Sequence, residues 1–172
     1  MKISARVTPS VYVSTYQTYT NGRLTGEWVE LEDFDDKEEF LEYCAKLFPN
    51  EDGPEFMYQD YEGVPDYYIS ESYLSEEYFE YQANVSGMDA GRAEAYATFI
   101  SLYNEDSLDK FESSYQGVFN SDTDFGYHMA EMNGIMEKAN ETLEMYFDFE
   151  RYGRDLLLNE YSKDNGHVFL DF

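Results

Sequence analysis

The order of apolar and polar residues near the start of the chain predicts a β-hairpin. Residues 11–16 and 24–31 are rich in β-branched and aromatic side chains, a composition typical of strands. Asn21 and Gly22 lie between them, and an Asn-Gly pair favours a type I′ turn, in which both residues have a positive φ. The sequence therefore predicts two antiparallel strands joined at this turn.

The middle of the chain has the spacing of amphipathic helices. Tyr96, Phe99 and Tyr103 follow the i, i+3, i+7 pattern of one buried helix face. Ser75 and Asp89 precede two segments of this kind, and both residue types cap helix N-termini. The predicted helices cover residues 35–47, 76–85, 89–103, 107–115, 122–136 and 140–152.

Two of these helices are predicted to turn large apolar side chains inward. Met adapts to irregular gaps in a core, which makes a Met-rich helix face a packing feature rather than a binding feature. The side chains expected to face inward are Phe125, Met129, Met132, Met136, Leu143, Tyr146 and Phe147.

Short extended segments accompany the helices. Residues 56–58, 67–69 and 115–120 are candidate strands, and residues 156–162 and 167–172 are predicted to pair through an Asp-Asn-Gly turn. Hairpins at both ends with helices between them do not alternate as βαβ units. The pattern therefore predicts an α+β chain of two or three small packed units.

Charge is the most unusual property of the composition. The 172 residues include 37 acids against 11 Lys and Arg, for a net charge of −26, and they also include 18 Tyr and 13 Phe. Such a surface repels nucleic acid and anionic lipid, which excludes both as direct partners. No apolar run approaches a membrane span, and residues 1–6 lack a signal-peptide pattern, so a soluble cytoplasmic protein is expected.

The acids are concentrated in the middle of the chain. Residues 47–137 contain 20 acids and only two bases, Arg92 and Lys110, for a net charge of −18. Residues 1–46 and 138–172 each have a net charge of −4. A solvated, solubilising surface is the simplest explanation of an acidic stretch. Here the acids alternate with Tyr, Phe and helix signals, which indicates a folded scaffold that holds many carboxylates.

Catalytic and metal-binding patterns are absent from the sequence. It has no phosphate-binding Gly-rich loop, nucleophile elbow or zinc-protease motif, and no cofactor is predicted. Cys44 lies on an apolar helix face and is expected to be a buried thiol, and His128 and His167 are expected to be satisfied or surface residues. A calcium-loop count that begins at Asn120 fails because its glycine position is Phe125.

The charge density leads to a hypothesis of DNA mimicry. Duplex DNA carries one charge per about 1.7 Å of axis, so that 26 charges correspond to roughly 44 Å of duplex. A row of acidic helices could therefore occupy a groove built for DNA, with no single carboxylate dominating. The carboxylates predicted to bind such a partner are Asp60, Glu62, Glu71, Glu76, Glu77, Glu80, Asp89, Glu94, Glu105, Asp106, Asp109, Glu112, Asp122 and Asp124.

Two alternatives come from other functional classes. The chain could be an acidic binding partner of basic DNA-binding proteins of the nucleoid type, and tight binding to such proteins would distinguish this alternative. A carboxylate hydrolase would instead need one pair of acids in a cleft and would lose activity through a single substitution. With 37 acids, pairs arise by chance, and the sequence offers no particular pair.

Several segments in order resemble the ArdA antirestriction proteins. The opening strand, the Asn-Gly-Arg-Leu-x-Gly-x-Trp segment and the Asp-Tyr-Glu-Gly segment match the first part of that family. A Tyr-x-Gly segment, the antirestriction motif and the Gly-His-Val-Phe ending match the rest. The matching segments are residues 10–16, 21–28, 60–63, 69–71, 115–117, 147–156 and 166–169.

The resemblance implies a non-enzymatic inhibitor encoded by mobile genetic elements. Its expected partners are the specificity and methyltransferase subunits of type I restriction-modification enzymes, and it is expected to form a homodimer through its C-terminal domain. It implies an elongated chain of three small domains at residues 1–70, 71–112 and 113–172, with the middle domain helical. The motif residues within 148–162 are Asp148, Tyr152, Gly153, Arg154, Asp155, Leu156, Glu160 and Tyr161, for which core or dimer contacts are favoured over direct enzyme contact.

Overall fold

The chain folds into two compact units of mixed secondary structure. The computed structural model describes residues 7–23 and 25–172, so the predictions for residues 1–6 and Leu24 lie outside the described residues. The units are Met1–Glu94 and Ala95–Phe172, and both contain helices and small antiparallel sheets. The α+β class is thereby confirmed, whereas the three domains remain a prediction.

A three-stranded antiparallel sheet forms the first unit's framework. Its strands are β1 (Ser10–Thr15), β2 (Glu27–Glu30) and β3 (Phe56–Glu62), in the order β2-β1-β3. Val11 and Val13 of the central strand are fully buried, as the alternating pattern of a sheet with one covered face requires.

The predicted pairing of the first two strands is confirmed, but the predicted turn is wrong. The Thr15 side chain caps a short helix, α1 (Tyr16–Thr20), which leads the chain away before it returns to β2. Asn21 has a φ of −80° and Gly22 a φ of +72°, so that only Gly22 is left-handed. The Asn-Gly pair ends a helical turn here instead of forming a type I′ turn.

The predicted helix after β2 is confirmed as α2 (Lys37–Leu47). Asp36 caps it, and its Oδ1 accepts a hydrogen bond from the Glu39 N–H at 2.9 Å. Phe40 and Cys44 are fully buried on its inner face. The full burial of Cys44 confirms the predicted buried thiol, and it raises the pKa of this thiol to about 12.

Two short strands and an aromatic helix complete the first unit. β4 (Ile69–Ser70) and β5 (Tyr73–Leu74) pair as a small antiparallel sheet. α3 (Glu77–Ser86) follows and buries Tyr78 and Phe79 on one face. Aromatic rings therefore supply much of the buried area on this side of the unit.

The second unit has an aromatic core between helices and sheet. α4 (Ala90–Tyr103) begins in the first unit and ends in the second, where α5 (Leu108–Ser114) follows. The Phe99 ring lies 5.9 Å from the Phe111 ring and 5.7 Å from the Phe169 ring, measured between centroids. The predicted apolar stripe of α4 is thus part of the core.

The C-terminal hairpin belongs to a second three-stranded sheet. Its strands are β6 (Tyr115–Val118), β7 (Tyr161–Asp164) and β8 (His167–Leu170), in the order β6-β8-β7. Asn165 and Gly166 have φ values of 48° and 85°, as a two-residue turn of the I′ type requires. The predicted Asp-Asn-Gly hairpin is confirmed at this end of the chain.

The helices before this hairpin differ from the prediction. The predicted helix 122–136 is confirmed as α6 (Asp122–Met132), which ends four residues earlier than predicted. The predicted helix 140–152 is two helices, α7 (Glu141–Tyr146) and α8 (Phe149–Asn159). The break occurs because Asp148 caps a new helix N-terminus. α8 also covers the first part of the predicted strand 156–162, so that the observed strand, β7, begins only at Tyr161.

Several side chains predicted to face inward are exposed. Phe125 and Met129 are buried as expected, but Met132 is 71% exposed because it occupies the last position of α6, beyond the core cluster. Leu143 and Tyr146 are 60% and 77% exposed, and α7 buries no residue. The prediction for these three side chains was wrong.

Candidate partner-binding surface

The carboxylates lie at the surface of both units. All 37 Asp and Glu residues lie in the described part of the chain, and none of them is buried. Of the fourteen predicted to bind a partner, Glu105, Asp106 and Asp122 are half-buried and the others are exposed. Their charges are therefore at the surface, where a cationic partner can meet them.

Exposed carboxylates form a row along α3. Glu76, Glu77 and Glu80 are exposed, while Tyr78 and Phe79 hold the opposite face against the core. Side chains three or four positions apart on a helix have Cβ atoms about 5–6 Å apart. This spacing is comparable to the roughly 7 Å between phosphates along one strand of DNA (about twice the 3.4 Å axial rise).

The acidic surface of the first unit also includes α2, which the sequence-based selection omitted. A shallow groove of about 550 Å³ is rimmed by Glu38, Glu42 and Glu76, and Leu41 and Ala45 form part of its wall. The signal that could have found these acids is their i, i+4 spacing in a confirmed helix. The sequence-based prediction did not include them because residues 1–46 have a net charge of only −4, against −18 for residues 47–137.

Bases lie beside two of the predicted carboxylates. The Lys110 Nζ is 2.7 Å from Glu105 Oε1, and the Lys163 Nζ is 3.5 Å from Asp122 Oδ1. Both pairs are partly solvent-exposed, and such pairs typically contribute about 0–1 kcal/mol to stability. A stronger cationic partner could displace either base at small cost.

Helix capping fixes other acids of the predicted set. Asp89 Oδ1 accepts a hydrogen bond from the Arg92 N–H at 3.1 Å, which places this carboxylate at the start of α4. Asp122 and Asp124 lie in the first turn of α6, where the helix dipole favours negative charge. The local fold therefore stabilises these charges, and Asp122 has Lys163 beside it in addition.

The N-terminal part of the antirestriction motif begins a helix. Asp148 Oδ1 accepts the Arg151 N–H at 2.9 Å and caps α8. The Tyr152 hydroxyl accepts a hydrogen bond from Asn133 Nδ2 at 3.0 Å, which connects α8 to the end of α6. Both motif residues thus make contacts that define the local fold.

Gly153 lies where two helix backbones meet. A Cβ atom built on it would be 2.0 Å from the Asp122 carbonyl oxygen, and one built on Gly126 would be 2.0 Å from the Phe149 carbonyl oxygen. No side chain fits on either glycine while α6 and α8 remain this close. The motif therefore lies directly against the first turn of α6 and its acids.

The remaining motif residues divide between core and surface. Tyr161 is buried, with its ring centroid 5.2 Å from that of Phe125, and Leu156 packs against the same cluster. Besides the cap residue Asp148, the exposed motif residues are Arg154, Asp155 and Glu160. These three side chains are available to a partner, and the buried ones support the helix that carries them.

Apolar side chains are exposed on and beside α7. Leu143, Met145 and Tyr146 are all at least 60% exposed. A groove of about 310 Å³ lies among residues that include Ile135 and Phe147. Neighbouring exposed apolar side chains are a common feature of surfaces that bind other molecules.

The histidines and metal-ligand candidates behave as structural residues. His167 is buried with its Nδ1 3.1 Å from the Tyr115 hydroxyl, and the His128 ring packs 5.1 Å from the Phe119 ring. Of the calcium-loop positions, Asp122, Asp124 and Glu131 lie within α6, and Asn120 precedes it. Within residues 7–23 and 25–172, no three His, Cys, Asp or Glu side chains converge as metal ligands, and no helix has the length and apolarity to span a membrane.

Comparison with known proteins identifies the family. A search of curated proteins finds no match to this chain. The family model described as antirestriction protein (ArdA) matches residues 11–169, which include the helices α1 to α8 and all of the three sheets except their end residues Ser10 and Leu170. The match confirms the resemblance found in the separate segments, and the chain belongs to the ArdA antirestriction protein family.

Proposed function

We propose that this antirestriction protein is a DNA mimic that acts in the cytoplasm. It occupies the DNA-binding groove formed by the specificity and methyltransferase subunits of type I restriction-modification enzymes, and so blocks cleavage of incoming DNA. The observation that carries the proposal is the segment 47–137, whose net charge is −18 and whose carboxylates lie outward on folded elements.

The physical advantage of such a mimic is that its charges are placed in advance. The carboxylates of α3 and of the helix N-termini are attached to elements whose other faces are buried in aromatic cores. A basic groove can therefore bind them without ordering a flexible polyanion, and less conformational entropy is lost. Because the attraction is between opposite charges, binding weakens as salt screens it.

The direct test is ATP-dependent cleavage of unmodified plasmid by a purified type I enzyme. We expect stoichiometric protein to stop cleavage and a polyglutamate control of equal charge to leave it unchanged. Inhibition matched by polyglutamate would reduce the effect to generic polyanion behaviour. Equally tight binding to a purified basic nucleoid protein would favour the alternative function.

A distributed charge surface makes a second, sharper test possible. Any one of the fourteen carboxylates should be replaceable by its amide with little loss of inhibition, because no single charge dominates. Replacing six acids of the first unit together should abolish inhibition, and complete loss from one replacement with an intact fold would contradict the mechanism. The six are Glu62, Glu71, Glu76, Glu77, Glu80 and Glu94.

The exposed apolar side chains of α7 support a homodimer formed through the second unit. Leu143 and Tyr146 are candidates for this interface because they are exposed beside an apolar groove. We expect light scattering to give twice the monomer mass for the wild type and the monomer mass for Leu143→Glu/Tyr146→Glu. The control Tyr19→Glu alters an exposed tyrosine of the first unit and should remain dimeric.

A further inference from the structure

Tyrosine hydroxyls hold several carboxylates of this chain. Tyr61 donates to Asp66 Oδ1 at 2.9 Å in the first unit, and Tyr103 donates to Asp171 Oδ1 at 2.8 Å in the second. Tyr96 donates to Asp106, which is one of the fourteen predicted carboxylates. Three separate places in the fold thus have the same pair of groups.

A neutral donor has a different effect on a carboxylate from a basic side chain. A lysine beside Asp66 would hold it but would also cancel its charge, whereas a phenol holds it and leaves the full −1. Hydrogen bonds to an ionised acceptor are roughly twice as strong as those between neutral groups. With 11 bases for 37 acids, the chain cannot use ion pairs to orient most of its carboxylates.

The tyrosines are themselves fixed by the fold. Tyr96 is buried, and its ring packs 5.0 Å from Phe111 and 6.4 Å from Phe99. Tyr61 belongs to β3, where it lies opposite Val11 of the central strand. Each hydroxyl therefore has a defined position relative to a core or a sheet, and so does the carboxylate that it contacts.

These phenols remain donors over the whole physiological range. The hydrogen bond to Asp66 raises the pKa of Tyr61, and burial together with the bond to Asp171 raises the pKa of Tyr103 to about 12. A protonated phenol keeps donating, so the orientation of its carboxylate persists at pH 7.

We infer that these tyrosines are positioning residues of the inhibitory surface: their hydroxyls orient carboxylates toward the target without neutralising them. The inference rests on the proposed function and deepens it. It adds Asp66, which the sequence-based selection omitted, to the carboxylates that meet the restriction enzyme. It also assigns a role to tyrosines that themselves carry no charge.

The test is a double-mutant cycle on the exposed pair, measured as inhibition of a type I enzyme. Tyr61→Phe removes one hydroxyl and leaves the net charge at −26, Asp66→Ala removes the acceptor, and the third variant combines both changes. We expect Tyr61→Phe to raise the half-inhibitory concentration about twofold to fivefold, the range of one exposed charge interaction. In the Asp66→Ala background the same change should have no further effect.

The cycle separates positioning from a structural role of the ring. Tyr19→Phe is the matched control, because Tyr19 is 51% exposed and no carboxylate among the described residues accepts a bond from its hydroxyl. An equal loss from Tyr61→Phe in both backgrounds, or none in either, would overturn the inference alone. No inhibition by the wild type would overturn the proposed function and the inference with it.

Discussion

Replacing Gly153 by alanine tests whether the antirestriction motif is needed for folding or for contact with the target. Gly153 of α8 faces Gly126 of α6, and the two backbones touch. Both residues lie in helices, so neither glycine is needed for an unusual φ. The only steric reason for glycine here is the close approach of the helices.

The expected loss of stability follows from the distances. The added Cβ would lie 2.0 Å from the Asp122 oxygen and 2.8 Å from the Gly126 nitrogen, whereas unstrained contacts of carbon are about 3.5 Å. Backbone atoms cannot rotate away, so the helices must separate by about 1 Å or more. Overpacking typically costs about 1–3 kcal/mol, and a backbone clash belongs at the upper end. In a unit of this size, about 3 kcal/mol lowers Tm by roughly 12–24 °C.

Thermal unfolding followed by far-ultraviolet circular dichroism measures this loss, and hydrogen exchange localises it to α6 and α8. The matched control is Gly87→Ala, where an added Cβ would have no neighbour within 4 Å. We expect the control to stay within about 0.5 kcal/mol of the wild type. A Gly153→Ala variant that melts with the wild type and no longer inhibits would refute the steric reasoning and make Gly153 a contact residue.

Three further outcomes are expected. Asp148→Ala should destabilise the protein by about 1 kcal/mol in urea unfolding, while Asp148→Asn keeps the cap and the wild-type midpoint; equal loss in both would show that charge matters, not capping. Cys44 should be alkylated at pH 8 about 1000-fold more slowly when folded than when unfolded, because its pKa rises from 9.0 to about 12, and rapid labelling would contradict its burial. The pKa of Tyr103 is about 12 in the folded protein against 10.0 in the unfolded chain, so the stability that the protonated phenol contributes is complete below pH 10 and is lost as the pH rises toward 12. Tyr103→Phe should therefore lose less stability than the wild type between pH 9 and 11. An equal loss in the two proteins would refute this.

The two Asn-Gly pairs show how far local sequence determines this fold. Asn165-Gly166 forms the expected turn because strands of matching length flank it directly. Asn21-Gly22 does not, because the Thr15 side chain starts a helical turn first and also donates to Glu51, a residue 36 positions away. The Asn-Gly pair predicts a turn in both places, and tertiary contacts determine which type of turn forms.

The candidate surface was predictable in its charge and less so in its geometry. None of the fourteen carboxylates is buried, as the cost of burying a charge predicts, and the helices that carry many of them have recognisable caps. The contacts that orient them are less visible in the sequence, since Tyr96 and Asp106 are ten positions apart and Tyr103 and Asp171 are 68 apart. The break before α8 was missed because Asp148 stands inside an otherwise continuous helical pattern.

The high content of aromatic residues follows from the need to fold a chain whose surface carries so many carboxylates. A segment of net charge −18 repels itself, so its core must supply a large apolar area close to a charged surface. A leucine core could supply the area but would offer the neighbouring carboxylates no hydrogen-bond donor. Tyrosine supplies both, because a ring buried as fully as that of Tyr96 carries its hydroxyl to the edge of the core, where Asp106 accepts it. A chain that must hold many acids in place without bases is therefore expected to be rich in tyrosine, and this one has 18.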